Sequence, residues 1–328
     1  MSEATDYDVA VIGAGGAGTM AYLRAVLNCN RTALFQGDAD TRRRGRATWV
    51  AEVDNIPGMH GIKSPITASA RTTQKWVESQ PQLADYSHVL AGKVTRIEPL
   101  ATGFRLHYSH KKAETSLVSR FVILATGVMD VQPLIQGAIE PVFPFANRGH
   151  LLYCLRCDGH RTIGKKLAVI AHEEQGLHLA RILSERYHHA RVDILTHGRE
   201  PVYSEAGRQL AEACNFQIHT GEIISLLGDA KTGLTGFALA DGSQVESDCA
   251  MVALGTIVYN DLLAELGAEL ADDGRVITSE SFESSIPGIF AVGDLVAGGR
   301  MQVYTAWDEA VTAAEAIDRR LREARRKA

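Results

Sequence analysis

Cysteine is scarce in this chain: five in 328 residues, at Cys29, Cys154, Cys157, Cys214 and Cys249. An odd, sparse set excludes a disulfide framework. Long apolar runs are missing too; none reaches the roughly 20 residues of a membrane-spanning helix. There is no basic excess, since 34 Lys and Arg against 39 Asp and Glu leave a formal net charge of −5. That argues against nucleic acid as a partner of the whole chain. Residues 1–6 are acidic and polar, unlike a secretory signal. A reducing cytoplasm is therefore the expected setting, where a Cys-x-x-Cys pair is more often catalytic or metal-binding than structural. What is present, 45% hydrophobic and 22% charged residues, fits a globular chain long enough for two domains.

Residues 7–13, YDVAVIG, read as a strand. They lead into GAGGAG, a helical stretch TMAYLRAVLNC, and a second strand RTALFQG. This order is that of a doubly wound nucleotide-binding unit. Strands are predicted again at 119–127, 165–171, 191–198 and 247–255, with the helix GLHLARILSERY between two of them. The βαβ unit thus recurs in mid-chain. The end reads as a strand, GIFAVGD, and a long helix over 302–326. The expected fold class is α/β, with two Rossmann-like nucleotide-binding domains and the central one inserted into the first. The outer domain is expected over 1–117 and 248–328 and the insertion over 118–247, with linkers near 111–117 and 242–246.

Gly13-x-Gly15-x-x-Gly18 follows a strand and opens a helix. Such glycines allow a tight turn, let the backbone approach a pyrophosphate and let the helix pack closely. At the end of the second strand, where an acid usually holds a ribose, stands Gln36, with Asp38 two residues on. Gln36 bonds a hydroxyl less strongly than a carboxylate would.

Taken in order, these segments resemble the thioredoxin reductase family of flavoproteins over most of the chain. VIGAGGAG resembles its FAD pyrophosphate loop, and VDNIPG its loop under the flavin, with Asn55 in the contacting place. FVILATG, ending in Thr126 and Gly127, resembles the strand where the chain crosses between domains. CLRCDG resembles the active-site disulfide and its following acid. GIFAVGD, with Gly293 and Asp294, and MQVYTA, with Gln302 and Tyr304, resemble the ribitol-holding turn and the flavin-facing helix start. The resemblance implies FAD as cofactor, thioredoxin or another thiol/disulfide partner as substrate, and a homodimer.

Cys154 and Cys157 stand at i and i+3 at a predicted helix start, which favours thiolate, and Arg156 between them adds positive charge. Asp158 can move a proton to or from a leaving thiolate. The resemblance implies that Cys157 faces the flavin and Cys154 exchanges with the partner. The alternative, half of a zinc site, lacks a second knuckle, so no metal is expected. The remaining three cysteines read as plain thiols.

The second turn lacks its glycines. Ala171 and Glu173 stand where the family has them, and Glu173 with Glu174 would put carboxylates where a pyrophosphate must sit. Two like charges about 4 Å apart cost on the order of 4 kcal/mol at an effective dielectric near 20. The family's arginine pair for the 2′-phosphate aligns with His197-Gly198, leaving Arg199 alone. The expectation is an enzyme that works without NADPH; the alternative is an NADPH-dependent reductase with a degenerate loop that still binds the nucleotide poorly. Two sources of electrons stay open: a second FAD, or ferredoxin. Arg42, Arg43, Arg44 and Arg46 could hold flavin phosphates or dock an acidic ferredoxin. Trp49, Tyr304 and Trp307 could stack on an isoalloxazine. The arginines of the C-terminal DRRLREARRKA complement the helix dipole, with a peripheral contact to anionic lipid as the alternative.

Overall fold

A computed structural model describes residues 5–43, 45–50, 52–111 and 113–327. The chain opens with β1 (Tyr7–Ile12), α1 (Gly16–Leu27) and β2 (Thr32–Phe35). Val9, Val11, Ala10 and Ile12 are all buried, as a strand covered on both faces requires. In α1 the small and apolar residues Ala17, Ala21, Tyr22, Ala25 and Val26 fall on one helical stripe and are buried. There follow α2 (Ala39–Arg43), α3 (Pro65–Glu78), β3 (Ser87–Leu90), and the antiparallel β4 (Lys93–Leu100), β5 (Gly103–His110) and β6 (Ala113–Leu124). After β7 (Val128–Asp130) come α4 (Phe143–Ala146), β8 (Leu151–Leu152), α5 (Leu155–Asp158), β9 (Leu167–Ile170), α6 (Glu174–Tyr187), β10 (Val192–Leu195), α7 (Glu205–Ala213) and β11 (Gln217–His219). A three-stranded antiparallel sheet of β12 (Ile223–Asp229), β13 (Gly233–Leu239) and β14 (Gln244–Glu246) precedes β15 (Cys249–Val252) and β16 (Thr256–Val258). The chain closes with α8 (Asp261–Ala264), β17 (Ile289–Ala291) and α9 (Val303–Lys327).

Two compact units result. The first, Met1–Ala47, Ile66–Met129 and Val258–Ala328, is built on a sheet in the order β3-β2-β1-β6-β5-β4, with β17 also on β6. On one face α1 and α9 pack with Val9, Val11, Ile123 and Phe290; on the other lie Phe35, Leu106, Leu263 and Val276. The second, Thr48–Pro65 and Asp130–Ile257, has the sheet β11-β10-β9-β15-β8, with Leu177, Ala180 and Leu183 of α6 buried against it.

The divide lies beyond the expected 117/118 and 247/248. Of the linker expected near 111–117, residues 113–117 belong to one unbroken strand, β6, which pairs with β5 and β1 in the first sheet. Residues 249–252 pair with β9 in the second sheet, not in the first. Residues 242–246 run from a turn into β14 rather than serving as a linker. Among the described residues no helix is long and apolar enough to cross a membrane.

Candidate active site

In the first unit the carboxyl ends of β1, β6 and β17 meet the start of α9, the place where open α/β sheets bind ligands. Gly13 has φ +107, and a Cβ there would lie 2.4 Å from the carbonyl oxygen of Ala125. A Cβ at Gly18 would lie 1.8 Å from the oxygen of Gly13. Both glycines are required by packing. A Cβ at Gly15 would meet nothing within 4 Å, so this glycine leaves an open cradle at the helix start. Such a cradle fits a pyrophosphate.

Around it, the Thr126 hydroxyl donates to the Tyr259 carbonyl at 2.6 Å and Gly127 takes φ +67, which fixes the crossing chain. Gly293, φ +79, sits close to Ala17 of α1, and its N–H donates to Glu309 at 2.7 Å. Burial raises the Glu309 carboxyl above its usual range, and the neighbouring Asp294 adds to this. Arg46 Nη1 lies 3.2 Å from Asp294 Oδ2. Gln302 is buried, its amide donating to the Met301 carbonyl, while Tyr304 is 43% exposed. Trp307 is half-buried, with its indole nitrogen 3.9 Å from the position a Gly16 Cβ would take. Gln36 directly follows β2, and its amide donates to Gln74 at 2.6 Å.

In the second unit Cys154 and Cys157 are joined as a disulfide, both half-buried. Cys154 caps α5, its sulfur accepting the Cys157 N–H at 3.1 Å. That helix is a single turn, so its dipole contributes little. The Cys157 N–H is a donor that favours a thiolate on Cys154. Asp158 is 4% exposed, and Arg156 is exposed. Asn55 belongs to this unit, with its amide nitrogen 3.8 Å from Cys157 Sγ.

These two arrangements can be set beside known proteins. The chain matches the family described as pyridine nucleotide-disulphide oxidoreductase over residues 7–310. It belongs to that family. The thioredoxin reductase of Treponema pallidum (strain Nichols) is 27% identical over 324 residues, spanning 95% of this chain and 96% of that protein. That of Listeria monocytogenes serovar 1/2a is 26% identical over 318 residues, 93% and 91% of the two chains. The crystal structure of thioredoxin reductase from Streptococcus pyogenes MGAS5005 superposes with a TM-score of 0.79 at 20% identity, over 97% and 98% of the chains. That likeness concerns the α/β fold. The protein is an enzyme of the flavin-dependent disulfide oxidoreductase class.

Within this disulphide oxidoreductase, the first unit brings together Gly13, Gly15, Gly18, Thr126, Gly127, Gly293 and Asp294 with the α9 residues; Gln36 stands at the end of the neighbouring strand β2. Asn55 belongs to the second unit, beside Cys157 Sγ. Trp49 is not free to stack on a cofactor. It is 2% exposed and lies against Phe143, ring centroids 4.3 Å apart. Of the arginine cluster, Arg46 is on Asp294 and Arg42 is exposed, while Arg44 and the side chain of Arg43 lie outside the described residues.

The second loop corrects one expectation. Glu174 does not face the pyrophosphate place: its Oε2 accepts the Ser204 N–H at 2.7 Å at the start of α7. The Ser204 contacts hold its carboxyl below the usual range. Glu173, its side chain 59% exposed, is the one carboxylate left at the turn. His197 faces inward, its Nδ1 accepting the Ile223 N–H at 3.1 Å, and burial pulls its pKa below the ordinary value. Arg199 is exposed, 3.4 Å from His172 Nε2. Gly176 retains its packing role, since a Cβ there would lie 2.2 Å from that of Ala171. Glu309, which accepts the Gly293 N–H, and Arg161, whose Nε donates to Asp54 at 2.8 Å, are not among the residues the sequence motifs single out. The signal for Glu309 is its place just after the segment that resembles the flavin-facing helix start.

Among the described residues no group of three or more His, Cys, Asp or Glu is arranged to hold a metal ion. Arg320, Arg322 and Arg325 of the basic C-terminal helix pair with Glu283, Asp318 and Asp8.

Proposed function

We propose that this enzyme passes electrons between FAD and the Cys154–Cys157 disulfide, and between that pair and a thiol/disulfide partner, without NADPH. The observation that carries the first part is the disulfide itself, half-buried, with a backbone donor on one sulfur and an amide on the other. Gly13, Gly15 and Gly18 would hold the FAD pyrophosphate, and Asp294, with Arg46 beside it, would hold the ribitol. FAD when bound supplies two-electron exchange.

The chain's own steps are thiol chemistry. Two electrons and two protons open the S–S bond to two thiols. The Cys154 thiolate attacks a partner disulfide, forming a mixed disulfide and releasing one partner thiolate. Cys157 then attacks Cys154 Sγ, restores the internal bond and releases the second partner thiol. Run backwards, the same steps oxidise a dithiol. Asp158, directly after Cys157, is placed in sequence to hold the proton that these steps move. The partner is a thioredoxin-like protein, as the names of the relatives suggest, or a small dithiol.

Independence from NADPH is supported by Glu173 at the turn, by the missing glycines and by the inward His197. A second reading, that NADPH does bind, is favoured by Glu174 being turned away and by the exposed Arg199. Without NADPH, electrons come from a second FAD or from ferredoxin. The second flavin is supported by the exposed Tyr304 and no longer by Trp49. Flavin extraction and absorbance per chain separate these: two flavins point to the first source and one to the second.

A further inference from the structure

Residues 48–65 share a compact unit with the disulfide, and the segment that carries the cysteines grips them. Arg161, four residues after Cys157, donates its Nε to Asp54 at 2.8 Å and an Nη to Glu52. His160 Nε2 lies 3.0 Å from the same Asp54 carboxylate. His60 turns back to the Asp54 carbonyl at 3.0 Å. Asp54 is thus held by its side chain and its main chain, and the next residue is Asn55. Its amide nitrogen lies 3.8 Å from Cys157 Sγ, within the range of contacts to sulfur.

A disulfide sulfur is a weak acceptor. A thiolate is a strong one, and a hydrogen bond to a charged acceptor is about twice as strong as a neutral one. The contact therefore gains most once the pair is reduced. We propose that Asn55 is a catalytic residue of the dithiol, donating to Cys157 Sγ and favouring the thiolate there, and that Arg161 is a positioning residue acting through Asp54. The inference rests on the reading that Cys154–Cys157 is the redox-active pair. Two electrons and one proton break the S–S bond to leave one thiol and one thiolate. The Cys157 N–H offers a donor to Cys154, and Asn55 offers one to Cys157, so the charge has a partner on either sulfur. A donor to the thiolate lowers the thiol pKa. It also stabilises the reduced form and makes the potential less negative.

The test uses the flavin-loaded protein in glutathione redox buffers, with each cysteine quantified by alkylation and mass spectrometry. The pH dependence of Cys157 alkylation is followed on the same samples. Asn55→Ala is expected to shift the dithiol equilibrium tenfold toward the disulfide, about 30 mV for a two-electron couple. It should also move the Cys157 alkylation profile up by about one pH unit. Asn55→Asp, isosteric but negative, should move both further the same way. Arg161→Ala should shift both in that direction and add nothing when combined with Asn55→Ala. Should Arg161→Ala not fold, the two Asn55 variants carry the test. Unchanged profiles and potentials in both Asn55 variants, beside a wild-type pair that equilibrates normally, overturn the inference. A wild-type pair that never equilibrates with glutathione overturns the redox reading beneath it.

Discussion

A Cβ added at Gly18 would press on the Gly13 carbonyl, while one at Gly15 would enter open space. The two glycines therefore answer to different demands. Gly18→Ala should cost about 1–3 kcal/mol through overpacking. Gly15→Ala should leave the stability of the flavin-free protein within about 0.5 kcal/mol and weaken FAD binding tenfold or more. Thermal melts and a flavin fluorescence titration read the two quantities, and unchanged FAD affinity in Gly15→Ala would remove the cradle. Cys154→Ser and Cys157→Ser should each keep flavin bound and lose thiol/disulfide exchange; exchange retained in both variants would sink the dithiol. Glycine spacing and the Cys-x-x-Cys pair were legible in the sequence because their demands are local. The partner of Asn55, 102 residues away, was not. Nor was the stacking of Trp49 on Phe143, since an aromatic side chain suits a core and a cofactor equally well.

Glu174 shows how an element's end can redirect a side chain. Its carboxylate holds the first N–H of the Ser204 turn, and Ser204 in turn caps α7 through Gly207. A Cβ at Gly207 would lie 2.6 Å from Glu174 Oε2, so a larger residue there would push this carboxylate aside. From the sequence of a turn alone, Glu174 looked aimed at a ligand; the competing acceptor need came from a helix that starts 31 residues later. The Glu174 carboxyl is held below its unfolded value. Its contribution to stability is present above the ordinary glutamate pKa near 4.3 and is lost as pH falls through the lower folded value. Glu174→Gln should thus melt earlier than wild type at pH 7, with the gap closing below about pH 4. A gap independent of pH would contradict this. The strands expected at 7–13, 119–127, 165–171, 191–198 and 247–255 each overlap an observed strand, whereas none is expected at β3 to β5 or at β11 to β14. Which sheet each joins was not legible for 119–124 and 249–252, because short apolar runs such as 121–124 and 249–252 pair equally well in either.

The doubled βαβ plan, the inserted order of the chain and the flavin-type motifs were readable because each recurs with its own strand–turn–helix context. The extent of the two units was not, since it depends on which sheet β6 and β15 complete. For the whole enzyme, the proposal is that electrons reach and leave its flavin without NADPH. Anaerobic addition of excess NADPH to the purified, flavin-loaded protein, followed by a dithiol, tests this most directly. The visible flavin absorption should survive NADPH and be lost on dithiol addition, and that loss should vanish in Cys157→Ser. Rapid bleaching by NADPH alone would contradict the account and restore the second loop as a working nucleotide site.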